Sequence, residues 1–170
     1  MSQSTFIVEE DKKSLTVTRV FNAPKDKVWE AYTTAELIEK WWGPIGWETT
    51  VKKLDFEEGG EWIYAMKCND ERQVDWYGKE SWGKTVYKDI DPKNSFAYTD
   101  YFCDTEGNIM PDMPVSHSVI EFEELEDGKT KLVMHTSYEN PEELKKVLEM
   151  GMQEGFEMTL DRLEEFVTND

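Results

Sequence analysis

Hydrophobic and polar positions alternate along this chain in two periods, and the changes of period mark its elements. Residues 15–21 are rich in β-branched side chains, as a strand favours, and Pro24 has the fixed φ and missing N–H that suit a first helical position. Val28, Trp29 and Tyr32, then Leu37, Ile38, Trp41 and Trp42, follow at helical spacings with a polar Thr33-Thr34 break between them, which predicts two short helices in tandem. Gly43-Pro44 stops the second helix, because the residue before a proline is pushed out of the α region, so Trp42 is expected at a helix end.

The middle of the chain reads as strands separated by turn chemistry. Residues 47–54 run into Glu57-Glu58-Gly59-Gly60, 61–67 into Asn69-Asp70, and 81–90 into Asp91-Pro92. Residues 95–102 are closed by Asp104-Thr105-Glu106-Gly107, and 115–123 join 131–137 through Asp127-Gly128. Turns this short force antiparallel pairing, because a parallel crossover needs a dozen or more residues.

Near the end, Asn140 is a good N-cap, Pro141 fits the first helical position and Glu143 completes something like a capping box. Leu144, Val147, Leu148, Met152, Phe156, Leu160, Leu163, Phe166 and Val167 then hold one apolar face, predicting a helix of roughly 40 Å at 1.5 Å per residue. Gly151 and Gly155 interrupt that stripe, and each costs up to about 1 kcal/mol relative to alanine in a helix interior. Either the helix approaches the sheet closely there, which is the preferred reading, or the missing side chains leave space for something else. The predicted fold class is α+β: a curved antiparallel sheet of six to seven strands wrapped round a long C-terminal helix, with two short helices after the first strand.

This order, carried by RVFNAPKDKVWEAYT, EKWWGP, FEEGGEWIYAM, VYKDIDP, TDYFCDTEGN and MGMQEGFEMTLDRLEEFV, resembles the helix-grip superfamily, the START and Bet v 1-like group. Within it the chain is most similar to stand-alone domains like the C-terminal domain of the activator of Hsp90 ATPase, from about Leu15 to Val167. A polar, tryptophan-bearing segment at residues 69–83 departs from the shorter turns usual there. The resemblance implies a deep sheet around the long helix, leaving a cavity that in relatives holds apolar or aromatic small molecules. It does not imply one chemistry, since relatives include carriers, hormone receptors, cyclases and co-chaperone domains.

Composition narrows the choice. The 170 residues suffice for one domain, with residues 1–13 a candidate for fraying apart from Phe6-Ile7-Val8, which fits an edge pairing or an extension of the first strand. Neither a signal peptide nor an apolar run of membrane-spanning length is present, so a cytoplasmic protein is expected. A net charge of −18 opposes nucleic acid and anionic membranes as partners. Cys68 and Cys103 lack metal or redox spacing and read as free thiols, and no metal or cofactor is implied. His117 and His135 fall on one hairpin, where a register pairing Phe122 with Leu132 turns both outward.

Seven tryptophans, seven tyrosines and eight phenylalanines exceed what an average core of this size needs. Trp62, Tyr64 and Met66 share one strand face, and Phe96, Tyr98, Asp100 and Phe102 share another; by resemblance both look inward. With Trp41, Trp42, Met152, Phe156 and Met158 they make candidate walls for a flat apolar ligand, while periodicity leaves plain core packing open for each. The acid–base candidates are Asp100, on an inward phase among aromatics, and Glu154 on the last helix. The expected function is the binding of a small apolar or aromatic molecule between sheet and helix. The alternatives are a cyclase- or lyase-like enzyme using a cavity carboxylate, and a protein-interaction module of the Hsp90 co-chaperone kind. A homodimer stays open, because edge strands can be capped or can pair with a copy.

Overall fold

Alternation along the chain becomes burial in the computed structural model, which describes residues 4–43 and 45–168. Strand β1 (Thr5–Val8) pairs along β2 (Ser14–Phe21), whose residues Leu15, Val17, Arg19 and Phe21 all face inward. Helix α1 (Lys25–Thr33) follows, with Pro24 one position earlier than expected, at the N-cap. Thr34 then serves both as its C-cap and as N-cap of α2 (Ala35–Trp41), the predicted break. Trp42 caps α2, and Gly43 leaves it at φ 98°; Pro44 lies outside the described residues.

Strands β3 (Trp47–Leu54), β4 (Glu61–Cys68), β5 (Glu80–Asp91), β6 (Ser95–Phe102), β7 (Ser116–Glu124) and β8 (Thr130–Ser137) complete one sheet in the order β1-β2-β8-β7-β6-β5-β4-β3. Every neighbouring pair is antiparallel. The described residues thus hold eight strands, one more than the upper expectation, because Thr5–Val8 forms its own edge strand, the edge pairing that Phe6-Ile7-Val8 allowed. In the segment 69–83, residues 69–79 form turns that set Trp76 against Trp47, rings tilted by 53° with centroids 6.2 Å apart, before β5 begins.

The C-terminal helix is not continuous. It divides into α3 (Pro141–Glu149), capped by the Asn140 side chain accepting from the Glu143 N–H at 2.9 Å, and α4 (Met152–Thr168). Between them Gly151 takes φ 87°, the left-handed conformation that closes a helix and that glycine adopts without the cost a Cβ imposes. The expectation of close packing at Gly151 and Gly155 is overturned: a Cβ built on either would meet nothing within 4 Å.

Aromatic side chains fill the layer between the sheet and α1, α2 and α4. Trp29 meets Phe56, Phe96 and Phe122 edge-on at 5.6, 5.7 and 5.2 Å, and Trp41, fully buried, donates its indole N–H to the Ala31 carbonyl at 2.9 Å. Arg162 on α4 donates to the Gly43 carbonyl at 2.7 Å and so ties that helix to the end of α2. Arg19 breaks the apolar row of β2, and α4 meets it with Glu157, Asp161 and Glu164 at 3.1, 2.8 and 2.8 Å.

Candidate functional site

The site begins as a change in the inward rows of the sheet. Across β6, β7 and β8 one row reads Phe96, Ile120, Met134, all buried and apolar. The next reads Tyr98, Ser118, Thr136, and the one beyond sets Thr85, Asp100 and Ser116 side by side on β5, β6 and β7. Large apolar groups thus give way to hydroxyl-bearing side chains and one carboxyl. The Ser118 and Thr136 hydroxyls satisfy each other at 2.9 Å, and Thr85 donates its hydroxyl to Asp100 at 3.1 Å.

Two adjoining chambers occupy the space this leaves. The inner one, ≈130 Å³, lies between the sheet and α4, bounded by Trp42, Tyr98, Met134 and Phe156. The outer one, ≈270 Å³, opens between Phe102, Pro114, Val147 and the Met150-Gly151 break of the helices. Asp100, Ser116, Tyr138 and Met152 wall both. Gly151 stands at the outer chamber with no side chain to close it.

Burial pushes the Asp100 carboxyl up to about 7, offset in part by the Thr85 hydroxyl. No Lys, Arg or His among the described residues forms an ion pair with it, and none lines either chamber. Burial first, and the Asp100 charge second, raise the hydroxyls of Tyr64, Tyr98 and Tyr138, the last to about 12. Near neutral pH the cavity therefore offers one carboxyl that titrates and several neutral hydroxyls.

The structure divides the aromatic and thioether candidates. Trp42, Tyr98, Met152 and Phe156 line the inner chamber, and Phe102 with Met152 the outer. Trp62 and Tyr64 stack at 4.4 Å behind Trp42, which touches both, while Trp41 packs against Trp42 from the core. The Tyr64 ring fits because residue 83 is glycine: a Cβ there would stand 2.5 Å from the Tyr64 hydroxyl. Met66 lies near Gly43, away from the chambers. Met158 and Glu154 do not join the cavity; both border a surface depression with Ser4 and Phe6 on the other side of α4.

Ser116, Ser118, Tyr138, Met134 and Val147 are walls that sequence reasoning missed. Their signal was the switch from Ile120 and Phe122 to Ser116 and Ser118 on the inward phase of one strand. On the outer sheet face, His117 and His135 are exposed as expected, with Phe122 opposite Leu132; His135 stands 3.6 Å from Glu121. Cys68 and Cys103 are free and buried. No described helix is long and apolar enough to cross a membrane.

Residues 22–168 match the family model of activator of Hsp90 ATPase homolog 1-like proteins. Among solved structures, Ms6760 from Mycobacterium smegmatis is 31% identical over 98% of both chains with a TM-score of 0.85. A Staphylococcus epidermidis protein is 29% identical over 95% of this chain and 93% of its own, with a TM-score of 0.80. An Arthrobacter aurescens protein, 23% identical over 98% of this chain and 92% of its own at a TM-score of 0.86, shares the fold. No curated protein sequence matches the chain.

Proposed function

The chain belongs to the activator of Hsp90 ATPase homolog 1-like family, and on that premise we propose that it binds a small apolar or aromatic molecule between its sheet and its C-terminal helices. The fold is one that serves ligand-binding and interaction domains. What carries the binding reading is the pair of adjoining chambers, which share Asp100, Ser116, Tyr138 and Met152 as walls. An apolar pocket with a few convergent polar groups is the usual form of a small-molecule site. Its walls include the rings of Phe156 and Trp42 and the adaptable thioethers of Met134 and Met152, suited to a flat hydrocarbon body. A cytoplasmic setting, supported by the two unpaired thiols, goes with this reading.

Native mass spectrometry of gently purified protein, joined to calorimetric titration with the neutral probe 1-ethylnaphthalene, tests it. One small molecule per chain is expected, and Ser116→Leu, which places a branched side chain in both chambers, should weaken probe binding at least about tenfold. Uptake unchanged by Ser116→Leu would put the probe elsewhere and contradict the reading.

One observation favours a second reading, acid–base catalysis on the bound molecule. A carboxyl pushed up to about 7 exchanges protons readily at neutral pH. Turnover of the ligand, lost in Asp100→Asn with binding retained, would establish it.

A further inference from the structure

The polar end of the cavity specifies the charge of what it holds, an inference that rests on the binding reading above. Thr85 gives Asp100 one hydrogen bond, at 3.1 Å, and the hydroxyl-bearing Ser116, Tyr98 and Tyr138 border the same space. The carboxyl has no cationic partner among the described residues, and neither chamber has a cationic wall. A second anion placed there would face Asp100 across a low-dielectric gap with nothing to neutralise either charge. A cation would meet the carboxyl and hydroxyl oxygens, with the aromatic side chains of Trp42, Phe102 and Phe156 bordering the same space. The chain's net charge of −18 adds a long-range potential of the same preference.

We propose that the cavity selects an aromatic or otherwise apolar molecule carrying a protonated amine, its ammonium against Asp100 and its apolar body toward Met152, Trp42 and Phe156. The carboxyl then completes an ion pair that the protein itself leaves open. The titratable groups facing Asp100 are Tyr64 on β4, Tyr87 on β5, Tyr98 on its own strand, Cys103 just after it and Tyr138 beyond β8, all raised by burial and so neutral near pH 7. From α3, Glu143 acts on Tyr138; Lys84 on β5 acts on Cys103 and is itself paired with Glu61 at 3.1 Å. Asp100 is therefore the group in this cluster whose charge changes around neutrality.

Calorimetric titration of the full chain with three probes of one shape tests this: 1-naphthylmethylamine, 1-ethylnaphthalene and 1-naphthylacetate, each at pH 6 and pH 8. At pH 8 the amine should bind at least about tenfold tighter than ethylnaphthalene, with naphthylacetate weakest. Because the carboxylate is the binding form and its titration centres on about 7, amine affinity should fall about tenfold from pH 8 to pH 6 while that of ethylnaphthalene stays constant. Asp100→Asn should erase the preference for the amine over ethylnaphthalene at pH 8. The pH comparison uses the unaltered protein, so it stands even where the variant does not fold. Equal affinity for amine and ethylnaphthalene at pH 8, or tightest binding of naphthylacetate, overturns the inference and leaves the apolar-cavity reading intact. An amine preference that persists in Asp100→Asn also overturns it, and binding of none of the three probes overturns both readings.

Discussion

Arg19 and Asp100 are both charged residues on the inward face of one sheet, and the fold treats them in opposite ways. Arg19, on β2, is 3% exposed, and three carboxylates of α4 close on it within 3.1 Å. Only its Nε lacks an acceptor. Asp100, on β6, has the Thr85 hydroxyl and no cation among the described residues, and it looks into open space. A buried charge is costly unless paired. Where the protein supplies the partner, the charge locks sheet to helix; where it does not, the cost persists until something else supplies one. The same helix layer is thus closed at one end by ion pairs and left open at the other by the Met150-Gly151 break.

The contrast can be broken first at Arg19. Arg19→Met strips the cation from three carboxylates, and removing one partner of a buried pair costs about 3–5 kcal/mol. Glu157 and Asp161 keep side-chain exposures of 29% and 58% and can hydrate, so we expect a loss near the lower end, about 3 kcal/mol by urea denaturation. A loss below about 1 kcal/mol, the worth of an exposed pair, would remove the lock.

Asp100→Asn should act in the opposite direction. The folded-state pKa of Asp100, about 7, stands above its ordinary value of 3.8. The folded state therefore binds more protons than the unfolded one between those values, and wild-type stability falls as pH rises through that window. The amide escapes this fall. The full shift corresponds to about 4 kcal/mol, but Asp100 is only half-buried and borders an open chamber. Asp100→Asn should therefore be more stable than wild type by about half of that, on the order of 2 kcal/mol, at pH 8, the gain falling below about 1 kcal/mol near pH 4. Equal stability at both pH values would mean that the carboxyl bears no cost.

The two glycines sharpen the contrast at a smaller scale. Gly151 needs its positive φ, so Gly151→Ala should lose about 1 kcal/mol. Gly155 is helical with open space at its Cβ, so Gly155→Ala should gain about 0.5–1 kcal/mol in thermal or urea unfolding. A loss at Gly155 would restore the close-packing reading that the open space argues against.

Much of this was legible in the residues. Turn chemistry bounded the six strands from 47 to 137 to within one residue, because Gly, Asn, Asp and Pro impose local conformations that tertiary packing does not override. The Thr33-Thr34 break and the Asn140 cap were readable for the same reason. The helix break was not, because Leu148, Met152 and Phe156 keep an apolar period straight across Gly151, and glycine inside such a pattern serves equally as a close contact or a cap. The cavity was half legible. Asp100 stood out as the one charge on an aromatic face, and Trp42, Met152 and Phe156 were placed on the right side of their elements. Met158 was not: at about 100° per residue it points to the far side of α4 from Met152, Phe156, Leu160 and Leu163, and it is 40% exposed. Ser116 and Ser118 went unseen because small hydroxyls carry no hydrophobic signal, although their place in the inward rows marks where the core ends.

The state of the Asp100 carboxyl tests the account most directly. A ¹³C NMR titration of the Asp100 side-chain carboxyl, assigned by its disappearance in Asp100→Asn, should give a midpoint of about 7 in the free protein, moving down when 1-naphthylmethylamine is added. A midpoint in the ordinary carboxylate range near 3.8, unmoved by the amine, would show a solvated carboxyl and contradict the account.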